Sequence, residues 1–490
     1  MAKTPVFWGL DVEDANNPES DDALLRLCRI HSDVGIPLNL FFAGQKARFI
    51  RRNCRDDVVA ALKGHDICYH GNYWFDYPEP ALVYGADDDW DTALAKALRY
   101  EIPGLNEVAE VTGQFPSAYV QHQTNHSPVT QYAVRQGGVL VNNGGFGDQM
   151  PHNAWVMDTL FVGRASRVVS PQGNWSHAWD PLHPERKKPP VNPDEELRNF
   201  QENFDRQLAL GFDHVNITGH PTCWVCSEWW GWYEFSLPFR LSEGFRPVGP
   251  FTHDRQWRPA AKRSAADIEA HFEWTRRAAE WLASRNDIEC LSLKEYHERH
   301  AEPQGQWISM AEVREMCREL TRNFDALKIA DTTMSTADAL FMLATLGEYV
   351  MLHNRLPERL QIRRTLGPVE AVPELSGAVK YLRADYLIAA RSVYAYIMAH
   401  DRVPSTIRAH SVDAGPGEVL MALAQAFAED ELPEEVTVEA TGGLPKCSEF
   451  PIFQNARASS TNAPPFYDDS RIAMLCKLQS WSYRPLVKNV

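Results

Sequence analysis

An α/β barrel followed by a helical repeat domain is the architecture this chain predicts, and three observations predict it. Strand and helix signals alternate over roughly the first 300 residues. Carboxylates and histidines stand where those strands end. Beyond residue 304 the pattern turns to helix after helix, with positions recurring at an offset of 47 residues. The division expected is therefore a barrel over 1–303 and a mainly helical domain over 304–490.

The apolar run Pro5 to Leu10 reads as a buried first strand. Ser20 then reads as the cap of a helix whose first turn carries Asp21 and Asp22, favourable at the positive end of the helix dipole. Leu24, Leu27, Cys28 and Val34 share one helical face. Pro37 to Phe42 is a second strand, and a helix through Val58, Val59 and Leu62 stops at Gly64. Ile67 to Tyr69 is the third. Three strands joined by two helices imply parallel pairing with right-handed crossovers. Further strands are expected over Ser117 to Val120, Val139 to Asn142, Val215 to Thr218 and Glu289 to Leu293. About seven parallel strands suit an α/β barrel or a distorted version of one. The proline-rich basic stretch 180–196 reads as a surface excursion of the same domain.

In the C-terminal part, Ala337-Asp338 recurs as Ala384-Asp385, and Tyr349, Met351, His353, Arg355 and Pro357 recur as Tyr396, Met398, His400, Arg402 and Pro404. Repeats are expected over about 335–380, 382–418 and 419–440, each a helix stopped by proline and then a short alternating segment. His353 and His400 read as packing or helix-end partners repeated by duplication.

Composition narrows the partners. The 490 residues carry a net charge of −16, spread along the chain, which argues against nucleic acid or an anionic membrane as main partner. No stretch approaches a membrane span. The N-terminus lacks a secretory pattern, and nine scattered cysteines suit free thiols, so a cytoplasmic address is expected.

Asp11-Val12-Glu13-Asp14 lies at the end of the first strand, and His70-Gly71 at the same end of the third. Ligands bind at such ends in parallel α/β folds, so Glu13, Asp14 and His70 are expected to converge. A carboxylate pair beside a histidine suits either a divalent metal or a division of base and orienting roles. His220 follows another strand and fits a general acid. His122 and His126 stand in a segment read as a loop, with metal ligation, substrate contact and a structural role all open. Trp224, with Trp229, Trp230, Trp232 and Tyr233, could stack on a sugar or planar heterocycle or fill the gap between barrel and helical domain. Cys223 and Cys226 read as free thiols, and His65 as a buried, hydrogen-bonded histidine.

The order Asp11-Val-Glu-Asp14, then Pro37-Leu-Asn-Leu-Phe-Phe-Ala-Gly44, then Gly64-His-Asp-Ile-Cys-Tyr-His70 resembles the polysaccharide deacetylase (NodB-type) superfamily, carbohydrate esterase family four, over about residues 5–300. The resemblance implies a distorted (β/α) barrel and hydrolysis of an amide-type C–N bond. It carries the family's metal aspartate and first metal histidine onto Asp14 and His70, while Trp74 stands where the second histidine belongs. His122 is the candidate to replace it. His70-Gly-Asn-Tyr-Trp74-Phe-Asp-Tyr77 is similar instead to the cofactor-independent allantoinase branch, whose Thr-Gly-Arg-Thr stretch is replaced here by Gln121 to His126. The cofactor expectation is thus none, or one divalent metal at Asp14, His70 and His122, zinc if any.

The expected function is hydrolysis of a non-peptide carbon–nitrogen bond in a small cyclic amide or ureide, or in an N-acetylated sugar. Glu13 or Asp14 would activate water, His70 would orient it or bind metal, and His220 would protonate the leaving nitrogen. Trp74, Tyr119, His122, His126 and Trp224 would contact substrate, with backbone N–H groups near Tyr119 serving the oxyanion. The alternative is a catalytically altered ligand-binding barrel with a C-terminal interaction domain. A homo-oligomer is compatible with either.

Overall fold

A computed structural model describes residues 3–15, 17–72, 88–121, 127–144, 152–163, 167–169, 191–227, 260–303, 305–329, 331–373, 377–409, 412–454 and 470–486. These form two compact units, one within 3–152 and 162–299, the other within 153–161, 300–454 and 470–486.

The first unit is a parallel sheet covered by helices. Its strands are β1 (Thr4–Val12), β2 (Asn39–Phe42), β3 (Asp66–Tyr69), β4 (Ala118–Tyr119), β5 (Val141–Asn143), β6 (Arg167–Val169), β7 (Val215–Gly219) and β8 (Ile288–Cys290). The order β5-β4-β3-β2-β1-β7-β6 is parallel throughout. β1, β2 and β3 are buried along nearly their whole length, as strands covered on both faces must be. β1 forks: Gly9 to Val12 pair with β2, while Thr4 to Val6 pair with β8. Asn39 stitches the fork, its Nδ2 donating to the carbonyls of Trp8 and Leu291 at 3.4 Å each and its Oδ1 accepting from Leu293 N at 2.7 Å. Among the described residues β5 and β6 do not pair with each other, so this is an open, distorted (β/α) barrel.

The helices that matter for the site are α1 (Glu19–Val34), α2 (Gly44–Arg52), α3 (Asp56–Ala61) and α4 (Trp90–Thr112). α1 begins one residue before Ser20, so Ser20 is a first-turn residue and not the cap; its hydroxyl donates to the Asn17 carbonyl at 2.6 Å. Leu24, Leu27 and Cys28 join the core through the helical spacing expected. The segment after α3 turns at Gly64, whose φ of +90° is left-handed backbone that suits glycine. The last strand, expected over Glu289 to Leu293, starts one residue earlier and stops at Cys290, and Leu293 opens a helix instead.

The second unit is built from four strand–helix–strand repeats. The helices are α5 (Met310–Arg322), α6 (Thr336–His353), α7 (Arg383–His400) and α8 (Pro416–Phe427). α6 and α7 start and stop 47 residues apart, and both end on a left-handed residue, Asn354 at φ 51° and Asp401 at φ 60°. Tyr349–His353 and Tyr396–His400 pack as tilted ring pairs at 4.3 and 4.4 Å between centroids, the helix-end packing expected of those histidines. An acidic residue holds the third helical position in each repeat. Glu312, Asp338 and Asp385 reach back to the backbone N–H of Ser309, Ser335 and Leu382, at 2.6, 3.2 and 3.0 Å. Glu418 accepts from Thr441 instead.

The flanking strands pair two repeats at a time. Trp307–Ser309 pairs with Arg359–Gln361 and Leu327–Ile329 with Thr332–Met334; Val379–Leu382 pairs with Glu435–Val438 and Ile407–Ala409 with Val412–Ala414. The last repeat, expected over 419–440, begins earlier, and a unit at Trp307–Ile329 precedes the two that recur in sequence.

Candidate active site

β1, β3 and β7 are parallel and end on one side of the sheet, and each hands over a side chain there. Asp11 and Glu13 are two residues apart, so strand alternation sends both the same way while Val12 enters the core. His70 follows β3 directly and His220 follows β7 directly. They meet around one carboxylate. His70 Nε2 lies 3.2 Å from Glu13 Oε2, and His220 Nε2 lies 3.4 Å from both Glu13 Oε1 and Asp11 Oδ2. Glu13 is 2 % exposed and His220 8 %, so the cluster is nearly dry yet reachable from the His220 side. A small cleft there is lined by Asp11, Glu13, His220 and Thr222, among others.

Proton positions follow from the partners. His70 Nδ1 lies 2.8 Å from the Val120 carbonyl, which can only accept, so Nδ1 carries hydrogen. Nε2 and Glu13 Oε2 then need one further proton between them. His220 Nε2 faces two carboxylate oxygens, a position for a donor.

The turn that carries His70 is fastened by its neighbour Asn72. Asn72 N donates to Glu101 Oε2 at 3.1 Å, its Nδ2 to the Tyr100 carbonyl at 2.7 Å, and its Oδ1 accepts from Arg48 at 2.9 Å. Tyr69 donates to the same Glu101 oxygen at 2.7 Å. The N-terminus of α2 adds two bonds, Gly44 N to the Gly71 carbonyl and Gln45 N to the Asn72 carbonyl. Backbones approach so closely that a Cβ on Gly104 would stand 2.7 Å from both Asn72 Cγ and the Tyr69 hydroxyl.

Asp14 is buried beside this cluster but otherwise engaged. Its oxygens accept from Asn17 N at 3.0 Å, from Asn17 Nδ2 and, at 2.6 Å, from Thr222 Oγ1. It ties the residues after β1 to the turn after β7, and the arrangement does not suit a metal ligand. Among the described residues no group of three or more His, Cys, Asp or Glu is placed to hold a metal ion. Trp74, His122 and His126 lie outside the described residues, as do Trp229, Trp230, Trp232 and Tyr233.

Two expected substrate contacts are core residues. Trp224 is fully buried, with Nε1 donating to Thr275 Oγ1 at 2.7 Å and its ring packed over Gly219. Tyr119 is buried and stacks on Tyr69 at 5.9 Å. The Val120 N–H beside it donates to the Tyr69 carbonyl at 3.1 Å, so it cannot also serve an oxyanion. Cys223 and Cys226 are buried free thiols, each pushed up to about 12 by burial. His65 is buried between the Leu38 N–H and the Cys28 carbonyl, and burial lowers its proton affinity. Asp11 was not among the expected catalytic residues; the signal that marks it is its two-residue spacing from Glu13 on a strand.

No protein-family model and no curated protein matches the chain. Solved structures similar to it include a probable polysaccharide deacetylase from Pseudomonas aeruginosa PAO1, 14 % identical over 61 % of this chain and 92 % of that one, with a TM-score of 0.38. Puue allantoinase is 14 % identical over 61 % and 92 %, with a TM-score of 0.36. A 4-alpha-glucanotransferase from Thermococcus litoralis is 11 % identical over 66 % and 47 %, with a TM-score of 0.35. Likeness at this level spans different chemistries, and the chemistry of this chain rests on its own residues.

Proposed function

We propose that the chain hydrolyses a non-peptide carbon–nitrogen bond. The observation that carries this reading is one buried carboxylate, Glu13, held between two histidines that come from different strands. Glu13 takes a proton from water, and the resulting hydroxide attacks the carbonyl carbon of the substrate. His70, anchored by the Val120 carbonyl, holds Glu13 in place and shares its proton. When the C–N bond breaks, His220 delivers the Nε2 proton to the departing nitrogen, which leaves poorly as an anion, and Glu13, 3.4 Å from Nε2, passes the proton it took from water on to His220. Asp11 holds His220 from the far side. The donors described here do not form a metal site, and no step is routed through a metal.

Candidate substrates are a small cyclic amide or ureide and an N-acetylated sugar. The test is a turnover screen on both classes with wild type, Glu13→Gln and His220→Ala. Loss of turnover in both variants is expected, of about 10²- to 10⁴-fold for Glu13→Gln. Turnover unchanged in either variant would overturn the assignment of that residue. Binding of a screened compound by the wild type without turnover would favour a ligand-binding barrel.

A further inference from the structure

We propose that Lys46, paired with Asp21, is the positioning residue that fixes Glu13; this rests on the hydrolase reading of the Glu13 cluster. Lys46 lies on α2 and is 1 % exposed; Asp21, in the first turn of α1, is fully buried. The ammonium donates to the Asp14 carbonyl at 2.5 Å and to Ser20 Oγ at 2.7 Å, and stands 2.6 Å from Asp21 Oδ1. Two oxygens accept from the ammonium, and the Asp21 carboxylate supplies its counter-charge.

The acceptors show what the lysine holds. The Asp14 carbonyl belongs to the residue next to Glu13. Ser20, while accepting from Lys46, donates to the Asn17 carbonyl, and Asn17 in turn binds the Asp14 carboxylate. Thr222, two residues past His220, closes the circuit on the same carboxylate. The backbone that presents Glu13 is therefore held from α2, from α1 and from the turn carrying His220, and Lys46 donates to both Asp14 and Ser20.

A buried ion pair adds little net stability over an apolar pair of similar size, whereas a lone buried charge is costly. Stability alone does not call for a lysine here; a donor aimed at the Asp14 carbonyl does. This separates positioning from folding. Lys46→Met alone leaves the buried Asp21 with Arg55, 3.9 Å away, in place of its close partner, so the informative variant is Lys46→Met with Asp21→Asn, which removes the pair together. Asp21→Asn alone keeps the lysine on Asp14 and Ser20.

The experiment measures, in the full chain, thermal melting, kcat and KM on a substrate from the screen, and solvent exchange of the imidazole N–H protons of His70 and His220 by NMR. For the double variant we expect melting within a few degrees of wild type, kcat lower by roughly 10- to 100-fold with KM little changed, and imidazole N–H exchange at least tenfold faster. Asp21→Asn is expected to keep wild-type exchange. A folded double variant with wild-type exchange would overturn the proposal, as would Asp21→Asn alone reproducing the full effect. Should the double variant not fold, Ser20→Ala, which removes one acceptor of Lys46 and its link to Asn17, is read instead: faster imidazole exchange supports the proposal and unchanged exchange overturns it. The underlying reading fails separately, if Glu13→Gln leaves turnover unaltered.

Discussion

Glu302 and Asp338 face guanidinium groups, whereas Glu13 and Asp11 face imidazoles. In the second unit Arg484, 3 % exposed, pairs with Glu302 and approaches Asp338 at 3.8 Å, while Arg364 reaches Glu302 at 2.5 Å and Asp338 at 3.0 Å. Asp338 also accepts from Thr365 N at 2.8 Å. An arginine keeps its proton at any pH a protein meets, so these charges are permanent and the cluster can only hold its unit together. In the first unit the partners of the carboxylates are histidines, whose ring nitrogens can either give or accept a proton. Burial of an acid does not distinguish structure from chemistry; the base opposite it does.

Four changes test that contrast, from the largest expected effect down. Glu13→Gln removes the acceptor between two histidines and should lower turnover by about 10²- to 10⁴-fold while leaving the urea midpoint nearly unmoved. Arg484→Met leaves Glu302 and Asp338 to share Arg364 and should lower stability by up to about 3–5 kcal/mol, read from urea denaturation, with kcat of the surviving folded protein unchanged. A folded Arg484→Met protein that lost turnover would break the division drawn between the two clusters. Gly104→Ala pushes a methyl group into Asn72 and the Tyr69 hydroxyl. It should cost about 1–3 kcal/mol and also reduce kcat, because Asn72 fastens the turn behind His70.

The fourth change concerns a histidine with no acid opposite. His31 is fully buried, edge-on to Trp8 at 4.4 Å, with neither ring nitrogen hydrogen-bonded among the described residues. Burial, reinforced by His65, holds it down to about 3 from an ordinary 6.5. The unfolded chain therefore takes up a proton below pH 6.5 that the folded chain refuses until about pH 3. Its contribution to stability is complete above pH 6.5 and is lost as pH falls toward 3, by about 1.4 kcal/mol per pH unit. His31→Leu should flatten the acid side of the stability curve by that slope, measured from urea midpoints at pH 7, 6 and 5. His214 and His271, held down to about 4 by burial, share the sign and keep part of the slope in place.

Much of the barrel was legible because its strands are short apolar runs bounded by turns, and all seven expected runs hold strands. β6 was not, since three residues, one of them an arginine, carry too little pattern. Glu13, His70 and His220 could be read because they follow strands that could be read. Asp11 could not, since inside a strand a carboxylate shows its direction only by parity with a neighbour. Trp224 misled because an aromatic beside a histidine looks the same whether it faces solvent or core. The repeat at Trp307–Ile329 escaped notice because Phe324 stands where its sister units carry Pro357, Pro404 and Pro433.

The ladders of the second unit are shared, each strand of one repeat closing on a strand of its sister. A solenoid grows by single steps, because each new repeat covers only the last one. Here the countable quantity is the couple. Losing one repeat would bare two strand edges in the one that remains, and gaining one would add two edges with no mate. In the four repeats described the strand edges close two by two, so a variant with one repeat deleted is expected to lose more stability than a single repeat's packing accounts for.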